Sequence, residues 1–277
     1  MTHQSESLLS PTELRRLQTL AIEVVVAAGQ EIMGFFMESY QVTEKSPDNP
    51  VTDADLAADR LLRKRLSAIL PQAGWLSEET IDDPDRLGRP FTWIVDPLDG
   101  TKEFVMGIPE FSVSVALVAK AKPILAIVHN PATTEMYTCL KGFGVFLNVE
   151  PVQVSQKRDL TGMTVDASRS ERNRGEFEPF EKTVNVQTLG SIAYKLARVA
   201  AGQADATWSR GPKHEWDICA GSLLVNEAGG HCVDLDNRSF QFNKAKPKVN
   251  GIIATNQALH QQVIELLHPH RHLARID

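Results

Sequence analysis

The sequence predicts an α+β half followed by an α/β half. Three observations lead there: two amphipathic helical patterns near the start, a run of closely spaced apolar strands after them, and alternating strand and helix patterns beyond Asn148.

In the first pattern Leu14, Leu17, Ala21, Val24, Ala28, Ile32 and Phe35 recur at steps of three and four, and Pro11 suits the opening turn. A second helix is predicted over 53–70, stopped by Pro71. FTWIV (91–95), FSVSVALVA (111–119), PILAIVH (123–129) and EMYTCL (135–140) are rich in β-branched and aromatic residues and are separated by turn formers, so they read as strands. Their closeness in sequence favours antiparallel pairing. Beyond Asn148 come strands at 163–168 and 184–189, a helix over 191–201, a strand at 204–209, a helix after Lys213, a strand at 251–256 and a closing helix. Two halves follow, 1–150 and 151–277, divided near residues 149 to 160.

The bulk properties narrow the function classes. A formal charge of −6 argues against a nucleic-acid polymer as partner, because such proteins neutralise phosphates with a basic surface. Cys139, Cys219 and Cys232 include no closely spaced pair, so neither a disulfide framework nor a zinc site is expected, and a reducing cytoplasm fits. The start, MTHQSESLLSPTELRR, lacks a basic segment followed by an apolar run, and no apolar stretch has the length to span a bilayer. The His-containing end, HPHRHLARID, reads as a solvated basic tail.

The chemistry concentrates at Asp96-Pro97-Leu98-Asp99-Gly100-Thr101-Lys102. An apolar strand runs into Asp96, Pro97 fixes φ, and Gly100 permits a tight turn, so Asp96 and Asp99 can face one point. Two carboxylates held so closely repel unless a cation lies between them, and all-oxygen ligation selects a hard ion such as Mg²⁺. Gly100, Thr101 and Lys102 can open a helix whose free amides face an anion. Two more acids sit on apolar helix faces: Asp55 in line with Ala58, Leu62, Leu66 and Ile69, and Asp217 in line with Ala220, Leu224 and Ala228. Asp55 also suits a capping box with Thr52. A carboxylate on a buried face needs a partner.

Together S-E-E (77–79), D-P-L-D-G-T-K-E-F (96–104), W-D-I-C-A-G (216–221) and E-A-G-G (227–230) resemble the inositol monophosphatase superfamily of lithium-sensitive, magnesium-dependent phosphatases. The resemblance implies an αβαβα layered sandwich of α/β and α+β parts, acting on a small phosphorylated metabolite. It implies Glu78, Asp96, Asp99 and Asp217 as side-chain ligands of Mg²⁺, with Leu98 giving its carbonyl. Thr101, paired with Asp55, would orient and help deprotonate the attacking water, with Glu78 also at the catalytic centre. A second metal would stabilise the leaving oxygen, and the amides of Gly100 and Thr101 would hold the phosphate. A homodimer is compatible with this family.

Ser77 and Lys102-Glu103-Phe104 depart from the inositol phosphatase pattern and are similar to CysQ-type 3′(2′),5′-bisphosphate nucleotidases. Ser168-Arg169, Arg210 and Lys213 are basic or hydroxyl groups suited to a second phosphate, with Lys102 and Asp217 also on the substrate side. The nucleotidase resemblance implies hydrolysis of 3′-phosphoadenosine 5′-phosphate to AMP. Inositol 1-phosphate hydrolysis is the alternative activity, and a catalytically silent, metal-dependent binding or regulatory protein is the alternative outside enzymes.

Overall fold

The structure, a computed structural model, describes residues 9–46 and 49–270. The opening of the chain and the last seven residues of the basic tail lie outside the described residues. Helix α1 (Pro11–Met33) starts in a capping box between Ser10 and Glu13. A ribbon of β1 (Val42–Ser46) and β2 (Asn49–Thr52) leads into helix α2 (Asp53–Ile69). The first large sheet then forms from β3 (Ala73–Ser77), β4 (Phe91–Asp99), β5 (Ser112–Ala119), β6 (Lys122–Asn130), β7 (Glu135–Leu140), β8 (Val145–Leu147) and β9 (Glu150–Val152). The short helix α3 (Thr101–Val105) follows β4.

The remainder supplies β10 (Thr164–Ala167), α4 (Arg169–Asn173), β11 (Asn185–Thr188), α5 (Ile192–Ala200) and β12 (Ala206–Ser209). After these come β13 (Lys213–His214), α6 (Glu215–Glu227), β14 (Gly230–Val233), β15 (Lys248–Val249), β16 (Ile252–Asn256) and α7 (His260–Leu267). The second large sheet has the order β11-β10-β12-β16-β14 and mixes parallel with antiparallel pairs.

Strand periodicity builds the layers. In β5, Val113, Val115 and Leu117 pack with the apolar faces of α1 and α2, while Ala116 and Val118 on the opposite face pack with α5 and α6. In β16, Ile252 and Ala254 join the same α5–α6 cluster, whereas Ile253 packs with Val263 and Leu267 of α7. The order is therefore helices, sheet, helices, sheet, helix: the αβαβα layered sandwich. Helices α5 and α6 cover both sheets, so one hydrophobic core runs through both halves of the chain.

Consecutive pairing is antiparallel from β4 to β9, as the close spacing predicts. The exception is β3, which pairs parallel to β4 across the 3-10 turn Pro84–Gly88. The β1–β2 ribbon, β8, β9 and β14 are too short, or too poor in alternation, to stand out in the sequence. Gly229, with φ 87°, ends α6 as its sequence position suggests.

Candidate active site

Register explains why the acids meet. The β3–β4 pairing sets Ser77 opposite Val95, so Glu78, just past β3, lies beside Asp96 on β4. Helix α6 packs against the same sheet and presents Asp217 from its first turn, where one carboxylate oxygen accepts from the His214 amide at 2.7 Å. Ligand oxygens of Glu78, Asp96 and Asp217 all lie within 4.8 Å of one another. Asp99 lines the same cleft, and its Oδ2 is held at 2.6 Å by both the Ser191 hydroxyl and the Ala193 amide.

The turn that places them is built around Gly100. Its φ of 101° is left-handed, and an added Cβ would lie 2.8 Å from the Glu110 carbonyl. Thr101 follows at the start of α3, and its hydroxyl donates to Asp55 Oδ1 at 2.9 Å, with the Leu98 carbonyl 3.1 Å away as a second acceptor. Asp55 is 1% exposed. Its Oδ2 takes the Thr52 amide at 2.8 Å and the Thr52 hydroxyl at 2.6 Å, so the same carboxylate caps α2 and holds the hydroxyl of Thr101, which lines the cleft.

Crowding of acids in low dielectric is visible in their proton affinities. Burial, then the neighbouring Glu78 and Asp99 charges, holds Asp96 well above the usual carboxylate range. Burial raises Asp217 to about 8, reinforced by Asp99 and Glu78. Asp99 rises to about 6 through burial, against the pull of Ser191 and Ala193. Burial also lifts Glu79 to about 7, despite Lys45. Such a cluster is costly with only protons to balance it. Its all-oxygen donors, at mutual distances that one small ion can span, fit a hard divalent cation.

The cleft encloses about 870 Å³. Gly100, Thr101, Lys102, Ser168, Arg169 and Lys213 all line it with the acids. Arg210 does not. It is 3% exposed, and its guanidinium donates to the backbone carbonyls of His270 and Glu176 at 2.9 and 2.8 Å, so the expectation that it contacts substrate is corrected. Arg169 lines the cleft but is engaged by Glu103 and Glu110.

Two lysines escaped the sequence reading. Lys45, from β1, donates to Glu78 at 2.8 Å and to Glu79 at 2.6 Å; burial opposes its charge, but those two carboxylates outweigh it and raise its pKa. Lys195 on α5 is 3% exposed, lines the cleft, and its ammonium makes no hydrogen bond or ion pair among the described residues. Burial pulls its pKa down while Glu171 pulls it up. A lysine inside the apolar run IAYKLARVA was the available signal; nothing about Lys45 in TEKSP stood out.

A five-layer sandwich with a carboxylate cluster and a Thr–Asp pair at one cleft is the arrangement expected of the phosphatase class that the sequence motifs resemble. Comparison with known proteins agrees: the model of the inositol monophosphatase family matches residues 13–272. The chain belongs to the inositol monophosphatase family. It is 35% identical to an inositol-1-monophosphatase of Rhizobium meliloti, over 79% of this chain and 86% of that one. It is also 31% identical to a histidinol-phosphatase of Chlorobaculum parvum, over 88% and 94%. Among solved structures, an IMPase of Thermotoga maritima superposes with a TM-score of 0.83 at 29% identity, covering 92% of this chain and 97% of that one.

Proposed function

We propose that the protein is a Mg²⁺-dependent phosphomonoesterase of the cytoplasm whose substrate carries a second anionic group. The observation that carries the reaction type is the Glu78, Asp96 and Asp217 cluster lying in one cleft with the Thr101–Asp55 pair. Glu78, Asp96, Asp99, Asp217 and the Leu98 carbonyl would hold the metal. When bound, Mg²⁺ supplies Lewis-acid stabilisation of charge on the phosphoryl group and acidifies water.

The chain's own groups divide the remaining work. Asp55 keeps Oδ2 on Thr52 and Oδ1 on Thr101, so the Thr101 hydroxyl spends its proton on Asp55 and turns lone pairs toward the cleft. It can then accept from an attacking water and orient it in line with phosphorus. The amides of Gly100 and Thr101 would hold the phosphate oxygens.

Substrate choice would rest on the basic and hydroxyl groups of the cleft. Lys195 and Lys213, with Ser168, line the same cleft as the acids, and the Lys195 ammonium makes no hydrogen bond or ion pair among the described residues. A cation with no direct hydrogen bond, offset only by the charges of nearby carboxylates, suits a ligand anion. These groups support 3′-phosphoadenosine 5′-phosphate, attacked at its 3′-phosphate. A second reading, inositol 1-phosphate, is favoured by the relatives named inositol-1-monophosphatase. Comparing kcat/KM for the nucleotide, inositol 1-phosphate and fructose 1,6-bisphosphate decides between them: preference for the nucleotide supports the first reading, and preference for inositol 1-phosphate, which the comparisons support better, or for fructose 1,6-bisphosphate overturns it. The buried free cysteines Cys139, Cys219 and Cys232 support a reducing compartment.

A further inference from the structure

In the sequence, Arg169 and the Lys102-Glu103-Phe104 departure are separate signals. In the structure they touch. Arg169 Nη1, at the first residue of α4, donates to Glu103 Oε1 at 3.2 Å and to Glu110 Oε2 at 2.5 Å. Glu110 Oε2 also accepts the Gly190 amide at 2.8 Å. Glu103 is 8% exposed and packs on Gly190, where an added Cβ would lie 2.5 Å from its Cγ. One guanidinium therefore joins α3, the turn before β5 and the turn before α5.

Each of those segments sets part of the cleft. Glu103 belongs to the short helix that begins at Gly100 and Thr101. The Glu110 carbonyl backs Gly100 so closely that no side chain fits there. Gly190 precedes Ser191, whose hydroxyl, with the Ala193 amide, fixes Asp99 Oδ2. Without Arg169, Glu103 and Glu110 would face each other uncompensated, at the edge of a cleft already dense in acids. Their repulsion would be relieved by moving those segments apart.

We infer that Arg169 is a positioning residue, an ion-pair latch that holds the Gly100–Thr101 turn and the Asp99 anchor in register, and that it does not ligate the substrate's second phosphate. The inference deepens, and for turnover rests on, the phosphomonoesterase reading. Its Mg²⁺-binding consequence stands apart from activity, because Asp99 is held by the same network.

The test compares Arg169→Met, Glu110→Gln and the double variant in full-length protein. It reads kcat and KM on inositol 1-phosphate and on 3′-phosphoadenosine 5′-phosphate, and Mg²⁺ binding by calorimetry. A latch predicts that each single variant lowers kcat about 10-fold on both substrates with KM little changed, the scale expected when a reacting group is slightly misplaced. It also predicts weaker Mg²⁺ binding in each, partial recovery with Arg169→Lys, and a double variant no worse than either single one. A KM increase confined to the doubly phosphorylated substrate in Arg169→Met, with Glu110→Gln silent, overturns it in favour of a substrate ligand. A lowered Tm with unchanged kcat and Mg²⁺ affinity overturns it in favour of a merely structural pair. Should Arg169→Met fail to fold, Glu110→Gln carries the same readouts. If the wild type turns over neither substrate, the phosphatase reading fails, while an unaltered Mg²⁺ affinity in the variants still overturns the latch.

Discussion

The Thr101 hydroxyl donates to Asp55 Oδ1 across 2.9 Å, although 46 residues separate the two in sequence. Thr52 occupies the other Asp55 oxygen, which fixes the orientation of the carboxylate toward Thr101. Thr101→Ala should lower kcat by about 10²- to 10³-fold with little change in Tm, the range for losing a positioned proton-handling group. Thr101→Ser should retain most activity. Steady-state kinetics on the two variants checks this; equal losses in both would point to the methyl group and away from the hydroxyl.

Asp96 makes a different prediction, because its charge is costly when no cation is present. Asp96→Asn should reduce turnover by about 10³-fold, in keeping with several kcal/mol of metal-dependent stabilisation. The same change should raise the Tm of metal-free protein, since it removes a buried carboxylate whose pKa is held well above its usual range by burial and by Glu78. Near-normal activity contradicts the assignment of Asp96 to the metal.

The raised carboxylates also set a pH dependence. Asp217 is lifted to about 8 and Asp99 to about 6, so between the ordinary carboxylate range and about 8 the folded, metal-free protein binds more protons than the unfolded chain. Stability from these groups is present at low pH and is lost as pH rises through that window. Thermal melts in EDTA should show it falling from pH 5 to pH 8. Mg²⁺ needs the ionised forms, so the gain in Tm on adding it should grow with pH; at a concentration about 100 times Kd the added stabilisation is about 2.7 kcal/mol.

Lys195 separates the two substrate readings. Lys195→Met removes an ammonium that makes no hydrogen bond or ion pair among the described residues but offsets the nearby Glu171 charge, so its Tm is measured beside its kinetics. On 3′-phosphoadenosine 5′-phosphate it should lower kcat/KM by about 10- to 100-fold, the worth of a charge-assisted hydrogen bond at roughly 1.5–3 kcal/mol. On inositol 1-phosphate it should change little. Equal loss on both substrates would place Lys195 on the phosphate that is hydrolysed.

Which residues were legible in the sequence follows from how local their signals are. Asp55 and Asp217 stand out because an acid interrupts an apolar helical stripe; Asp217 lines the cleft, and Asp55 lies behind it on the Thr101 hydroxyl. Glu78 has no such signal, since Glu pairs are common on surfaces. Only its motif resemblance singled it out, and the parallel β3–β4 register that brings it beside Asp96 is a long-range pairing. Arg210 and Lys213 look alike in one loop, yet one turns to Glu176 and the other into the cleft. A loop cation's direction depends on partners far away in the chain. The sequence marks Ser191 as a helix start, and that it also anchors Asp99 depends on packing between the two halves.

Phosphate release by the purified protein, with EDTA and with added Mg²⁺, tests whether the carboxylate cluster works with a metal in phosphomonoester hydrolysis. Turnover of 3′-phosphoadenosine 5′-phosphate or inositol 1-phosphate that vanishes in EDTA, returns with Mg²⁺, and is inhibited by millimolar lithium is the expected result. Mg²⁺ binding with no turnover of either substrate or of fructose 1,6-bisphosphate would contradict it and leave a metal-dependent binding protein in its place.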